Sequence, residues 1–289
     1  MKRIMIMVSI AIGLLMSVAG ADTFRSNRAE EDSARARGSV HGAGSKRTSV
    51  KRCPADAVPA GAVCLDTYEA SVWRVPDPTD TNALLVTRIR QGTATETDLA
   101  AGGATQLGVA GDDYAPCLNS GQNCADDIFA VSLRGVLPSE NITWFQAQEA
   151  CANAGKRLPT NAEWQMGADG SPDPGPDNGT TDCNSGNAGS ATPTGSRSSC
   201  VSARGAFDMV GNLAEWVADW VPASANCPGW ASFSDDAMCL SGASTTLNFP
   251  AALVRGGGFD LVSRSTAGPL SIVEAPPSSS GLVGFRCAR

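Results

Sequence analysis

Apolar positions in this chain fall into short runs separated by long polar stretches. Only one run is continuous. Ile4 to Val18 is almost wholly apolar, follows Lys2 and Arg3, and ends at the small residues Ala19-Gly20-Ala21. That order predicts an export signal over residues 1–21 rather than a membrane span, because the run is short of the ~18 apolar residues a span needs and nothing downstream supplies another. Residues 22–52 hold a single aromatic, Phe24, and read as a flexible basic leader. A globular domain is expected over 53–289. Cys53 to Ala70 reads as a short strand pair closed by a local disulfide, and residues 84–90, Leu-Leu-Val-Thr-Arg-Ile-Arg, as a strand. Residues 91–127 read as loop. A helix is expected from Thr143-Trp144, with Phe145, Ala147, Ala150 and Cys151 on one face and Gly155 closing it. A second should start at Thr160, where Glu163 completes a capping box. Residues 170–206 are Gly-, Ser-, Pro- and Asn-rich, and strands are expected near 207–220, 252–259 and 284–289.

Ten cysteines follow the export signal, an even number that points to disulfides in an oxidising compartment, secreted or in the cell envelope. Cys117 and Cys124 are spaced to pin a small loop. A Cys183–Cys200 bridge, a bound cation, or both would tie down 170–206, since an untethered stretch of that length is rare in a compact domain. Spacing alone leaves the remaining connectivity open. The single histidine, His41, lies in the leader, which argues against a zinc site. Charge divides sharply: residues 22–52 carry eight Lys/Arg against four Asp/Glu, and residues 53–289 carry twelve against twenty-five. So acidic a domain is a poor nucleic-acid binder. It suits solubility, or a divalent cation or basic ligand.

Four segments then occur in order: Asn141-Ile142-Thr143-Trp144 through Lys156-Arg157-Leu158-Pro159-Thr160-Asn161-Ala162-Glu163-Trp164; Gly205 to Trp220, containing Asp208-Met209-Val210-Gly211-Asn212; Val254-Arg255-Gly256-Gly257-Gly258-Phe259; and Gly284-Phe285-Arg286-Cys287. Together they resemble the formylglycine-generating, or sulfatase-modifying factor, family. The resemblance implies an α+β, loop-rich C-type lectin-like fold with two helices, short antiparallel strands and disulfide bracing. It also implies a Cys151–Cys287 bridge.

The oxidases of that family use two cysteines just after the glycine-rich strand. Those places fall here on Leu261 and Thr266, neither of which offers copper a soft thiolate. No cysteine occurs between Cys239 and Cys287, so a shifted alignment does not restore the pair. A related iron site built from three histidines is equally out of reach. The family's structural calcium site maps onto the carboxylate of Asp208 and the carbonyls of Met209, Gly211 and Leu213, hard oxygen donors suited to Ca²⁺. A second calcium site would draw on Asn187. Trp144, Trp164, Trp216 and Trp220 read as packing residues, and Glu163 and Glu215 as buried partners of Arg157, Arg255 or Arg286. Asn141-Ile-Thr and Asn178-Gly-Thr match the glycosylation pattern by chance.

Three functions are compatible with this sequence. One is a non-catalytic binding module that uses the 260–283 loop on a protein, peptide or glycan. Another is a formylglycine-generating oxidase acting on a sulfatase cysteine. The third is an envelope accessory whose basic leader touches anionic surfaces.

Overall fold

The computed structural model describes residues 52–124, 127–172, 177–186, 188–224, 246–260, 270–272 and 278–289. The expected export signal and nearly all of the leader lie outside these residues, as do Asn187, Cys227, Cys239, Leu261 and Thr266.

Three small sheets carry the fold. Strands β1 (Ala57–Ala60) and β2 (Val63–Asp66) form the hairpin expected there, and the Cys53–Cys64 disulfide closes it. In a second sheet, β3 (Ala70–Arg74) lies between β4 (Thr105–Leu107) and β5 (Ile128–Ser132), antiparallel to both. The third contains β6 (Ala214–Pro222), β7 (Pro250–Arg255), β8 (Leu270–Ile272) and β9 (Val283–Phe285), in the order β8-β7-β6-β9. The strand pairs are antiparallel, as expected, except for the β6–β9 ladder, which is parallel. The long connection from β6 to β9 supplies the crossover that a parallel pair requires. Residues 207–213, expected as the start of a strand, are a curled loop leading into β6.

Four helices are present among the described residues, two more than expected. The apolar stretch at 84–90 lies in α1 (Ala83–Gln91) and is not a strand. Leu85, Val86 and Ile89 are buried while Leu84 is exposed, which is one helical face. Gly92 ends the helix at φ 69°, and its N–H reaches the carbonyls of Arg88 and Ile89. Only glycine fits there, since a Cβ would lie 2.0 Å from Asp56 Oδ1. Helix α2 (Glu96–Ala101) interrupts the expected loop and is nucleated by a Thr95/Asp98 capping box. Both helices pack Leu85, Val86, Ile89 and Leu99 against Trp73, Val75, Phe129 and Val131.

The two expected helices form where the sequence places them, each with a capping box at its start. They are α3 (Trp144–Asn153), with Thr143 and Gln146, and α4 (Asn161–Gly167), with Thr160 and Glu163. Gly155 follows the Ala154 cap at φ 69°. The central core joins Val72, Leu107, Ile128, Ile142, Leu158, Trp216 and Phe285 around the Cys151–Cys287 disulfide. The last residues are stitched in by paired backbone bonds: Arg289 with Cys64, and Ala288 with Arg157. Cys117–Cys124 and Cys183–Cys200 are also bonded, and no described cysteine is free.

The Cys151–Cys287 bridge spans 136 residues. Replacing both cysteines by serine is expected to lower unfolding free energy by about 4–5 kcal/mol, read as a shifted midpoint in chemical denaturation.

Candidate functional site

The glycine-rich turn after β7 and the curled loop before β6 meet over a cluster of buried charge. Glu215 on β6 is 1% exposed and Arg286, just after β9, is 0% exposed. Arg286 donates Nη2–H to Glu215 Oε1 at 2.6 Å and Nε–H to Oε2 at 2.7 Å. Its remaining donors reach the carbonyls of Asp66, Thr67 and Phe207. Trp164 Nε1–H also donates to Glu215 Oε2, at 2.7 Å. Arg255 lies over the Trp164 ring, 4.8 Å from its centroid. Burial pulls Arg255 down to about 10, so it remains a cation there. Glu215 therefore pairs with Arg286, one of the three arginines the sequence offers it. Glu163 has Arg157, through two bonds of 2.7 Å that hold its carboxyl down to about 2. Neither arrangement suits a general acid, because both carboxylates are committed to arginines.

Two further acids face this pair. Glu69, between β2 and β3, accepts the Leu213 N–H at 2.9 Å and the Asn212 Nδ2–H at 2.5 Å. Burial raises its pKa well above the usual range, and the charges of Asp208 and Glu215 add to the effect. Asp208 accepts the Gly195 N–H at 2.7 Å. Burial raises its pKa to about 6, against the lowering effect of that hydrogen bond. Asp208 (φ 56°), Gly211 (φ 74°) and Asn212 (φ 59°) all adopt left-handed backbone, which Asp, Gly and Asn tolerate best. The loop curls as a result. Its Asn212 carbonyl accepts from Phe259, and its Gly211 N–H donates to Gly256. Among the described residues no hydrogen bond outside the strand ladders ends on the carbonyls of Met209 or Gly211. Gly256 faces Met209, and a Cβ there would lie 3.0 Å from the Met209 oxygen.

Asp208, Met209, Gly211 and Leu213 thus lie in one buried turn, Asp208 at 2%, Met209 at 1% and Leu213 at 0% exposure. No group of three or more His, Cys, Asp or Glu is arranged for a metal among the described residues, so a cation here would rest chiefly on carbonyls. Sequence reasoning passed over Asn184. It is 1% exposed, its Nδ2 donates to the Ser190 carbonyl and to Asn212 Oδ1, and its own Oδ1 is buried without a donor among the described residues. Its signal was its place beside Cys183 at the start of the tethered loop.

Residues 110–289 match the sulfatase-modifying factor enzyme 1-like domain. The chain belongs to that family. Its loop-rich α+β architecture is the family's C-type lectin-like fold. No protein of curated function matches this sequence. Among solved structures, the Major Tropism Determinant I1 variant is 18% identical with a TM-score of 0.45, covering 81% of this chain and 52% of its own length. This chain therefore spans about half of that protein. PvdO from Pseudomonas aeruginosa is 18% identical with a TM-score of 0.41, over 78% of this chain and 80% of PvdO. The Treponema denticola variable protein 1 is 17% identical with a TM-score of 0.35, over 53% of this chain and 71% of that one. Likeness at this level transfers no ligand or chemistry to this member.

One surface departs from the sequence reading. Trp164 and Trp216 are fully buried, but Trp220 is 39% exposed. The β6–β7 register shifts between Trp216 and Trp220, so two tryptophans of equal strand parity end in different surroundings. Trp220 packs edge-on against Trp144 and Phe145 and borders a groove of about 420 Å³ with Pro222 and Phe249.

The raised carboxyl of Asp208 has a measurable sign. The folded chain binds that proton more tightly than an unfolded aspartate of ordinary pKa near 4, so the stabilisation is complete below about pH 4 and is lost as pH rises through about 6. Glu69 acts in the same direction. In chelator-containing buffer, unfolding free energy should fall by roughly 3 kcal/mol or less between pH 4 and 7. The Asp208→Asn variant should flatten that slope.

Proposed function

We propose that this member of the sulfatase-modifying factor family is a secreted, non-catalytic binding module braced by disulfides and by a calcium ion. The observation that carries the reading is the placement of sulfur. Oxidising members need two thiolates after the glycine-rich strand, whereas this chain has Leu261 and Thr266 at those places and no cysteine from 240 to 286. The cysteine that follows, Cys287, is bonded to Cys151. Four disulfides fit an oxidising compartment outside the cytoplasm. No described helix is long and apolar enough to cross a membrane.

Asp208 would supply a carboxylate, and Met209, Gly211 and Leu213 would supply carbonyls, for the ion. The donor set is hard oxygen, as Ca²⁺ prefers. Glu69, Asp208 and Glu215 meet a cluster in which Arg286 is the bonded cation, so a divalent ion would relieve buried negative charge. When bound, it supplies charge compensation and fixes the loop; the residues themselves hold the turn in the curled form. Binding of a peptide, a glycan or another protein is assigned to the 260–283 loop, because that segment stands where the oxidases carry their reactive pair.

Three measurements test the reading. Calcium at a hundredfold excess over its Kd should stabilise the chelated protein by about 2.7 kcal/mol, and Asp208→Ala should abolish that gain. Incubation with copper and a sulfatase-type cysteine peptide should leave the thiol mass unchanged. Conversion of that thiol to an aldehyde would establish the oxidase instead. Replacing residues 260–283 by a Gly/Ser linker should remove ligand capture on peptide and glycan arrays.

A further inference from the structure

The segment from Asp177 to Asp182 lies outside the carboxylate cluster and plays no part in the proposed function. It contains an Asn-Gly pair held in an unusual way. Asn178 is exposed, yet its Oδ1 accepts four hydrogen bonds: from the backbone N–H of Thr180 at 2.9 Å, Thr181 at 2.8 Å and Asp182 at 3.1 Å, and from the Thr180 hydroxyl at 3.1 Å. Its Nδ2 donates to Thr181 Oγ1 at 2.8 Å. The N–H of Gly179 donates to Asp177 Oδ1 at 2.7 Å. Asp177 is itself buried and accepts from Arg197 Nη1 at 3.3 Å and from the Ser185 N–H at 3.3 Å. Nothing crowds Gly179: a Cβ there would meet no atom within 4 Å.

These contacts are the parts of an intramolecular acyl transfer. The Asn178 amide carbon is the electrophile, and its oxygen sits among donors that would hold an oxyanion. The neighbouring Gly179 nitrogen is the nucleophile, with a carboxylate accepting its proton.

We propose that Asn178-Gly179 is a self-modification site that closes to a succinimide. The Gly179 N–Cγ bond to Asn178 forms while the Gly179 proton passes to Asp177 Oδ1. The carbonyl electron pair moves onto Oδ1, where the four donors receive it. When the carbonyl re-forms, the Cγ–Nδ2 bond breaks, and Nδ2 takes the proton back from Asp177 through water and leaves as ammonia. Nothing is oxidised or reduced. Water then opens the ring at either carbonyl, giving aspartate or isoaspartate at 178. Either product places a second carboxylate beside Asp177, and isoaspartate also lengthens the main chain ahead of the loop pinned by Cys183–Cys200.

The test is peptide mass spectrometry of the folded protein during incubation in mildly alkaline buffer, with the reduced, alkylated and urea-unfolded chain as reference. The Asn178 peptide should lose ammonia and then gain water about tenfold faster in the folded protein than in the unfolded chain. Thr180→Val removes an exposed hydroxyl donor and should slow the folded rate by about three- to tenfold, with circular dichroism unchanged. Gly179→Ala should slow it further. A folded protein that deamidates no faster than the unfolded chain would overturn the proposal, because the four hydrogen bonds would then be locking the side chain rather than activating it. A Thr180→Val rate equal to that of the parent would overturn it as well.

Discussion

The ion pair between Arg286 and Glu215 is the constraint around which the rest of this domain is arranged. Both side chains are essentially without solvent contact. Taking such charges out of water is costly unless every donor and lone pair is met, and removing one partner from such a pair is far more damaging than replacing both. Here the guanidinium reaches three carbonyls from two separate segments as well as its carboxylate, and the carboxylate also receives the Trp164 indole. The pair therefore fixes the end of β9, the β2–β3 turn, the curled loop at 207 and helix α4 relative to one another. The loop-rich appearance of the fold hides this. Much of the irregular chain is placed by buried hydrogen bonds to charged side chains rather than by sheet or helix ladders.

That arrangement explains which parts of the fold were legible in the sequence. Helix α3 was readable from the apolar face that Ala147, Ala150 and Cys151 present, and its Thr143–Gln146 capping box adds to that signal. Helix α4 was readable because its capping box is local: Thr160 and Glu163 lie three residues apart and need no tertiary information. The three short-range disulfides were readable for the same reason. Helix α1 was not. Its Leu-Leu-Val-Thr-Arg-Ile-Arg sequence carries the β-branched content of a strand, and it becomes helical because Leu85, Val86 and Ile89 can face Trp73 and Phe129 together. Helix α2 is too short to leave a periodic trace. The parallel β6–β9 ladder depends on a crossover that sequence pattern does not record.

The site shows the same division. Asp208, Met209, Gly211 and Leu213 form one turn because the left-handed positions at 208, 211 and 212 fall on Asp, Gly and Asn, which the sequence states outright. Asn184 escaped notice because its contact with Asn212, 28 residues away, is not recorded in the local sequence. Trp220 does pack, against Trp144 and Phe145, but at the surface, because the shift in register against β7 sets it apart from Trp216.

The cysteine bridges also imply an order of events. Three of them join residues 7, 11 and 17 positions apart, close enough to find one another in a chain that has scarcely begun to collapse. Cys151 and Cys287 meet across 136 positions, at the bottom of the central core. Air oxidation of a nascent, shapeless chain would favour the near neighbours and leave the distant pair to whatever thiols it happened to encounter. The long bridge thus works as a receipt for completed assembly: a protein carrying it has already brought helix α3 and the segment after β9 together.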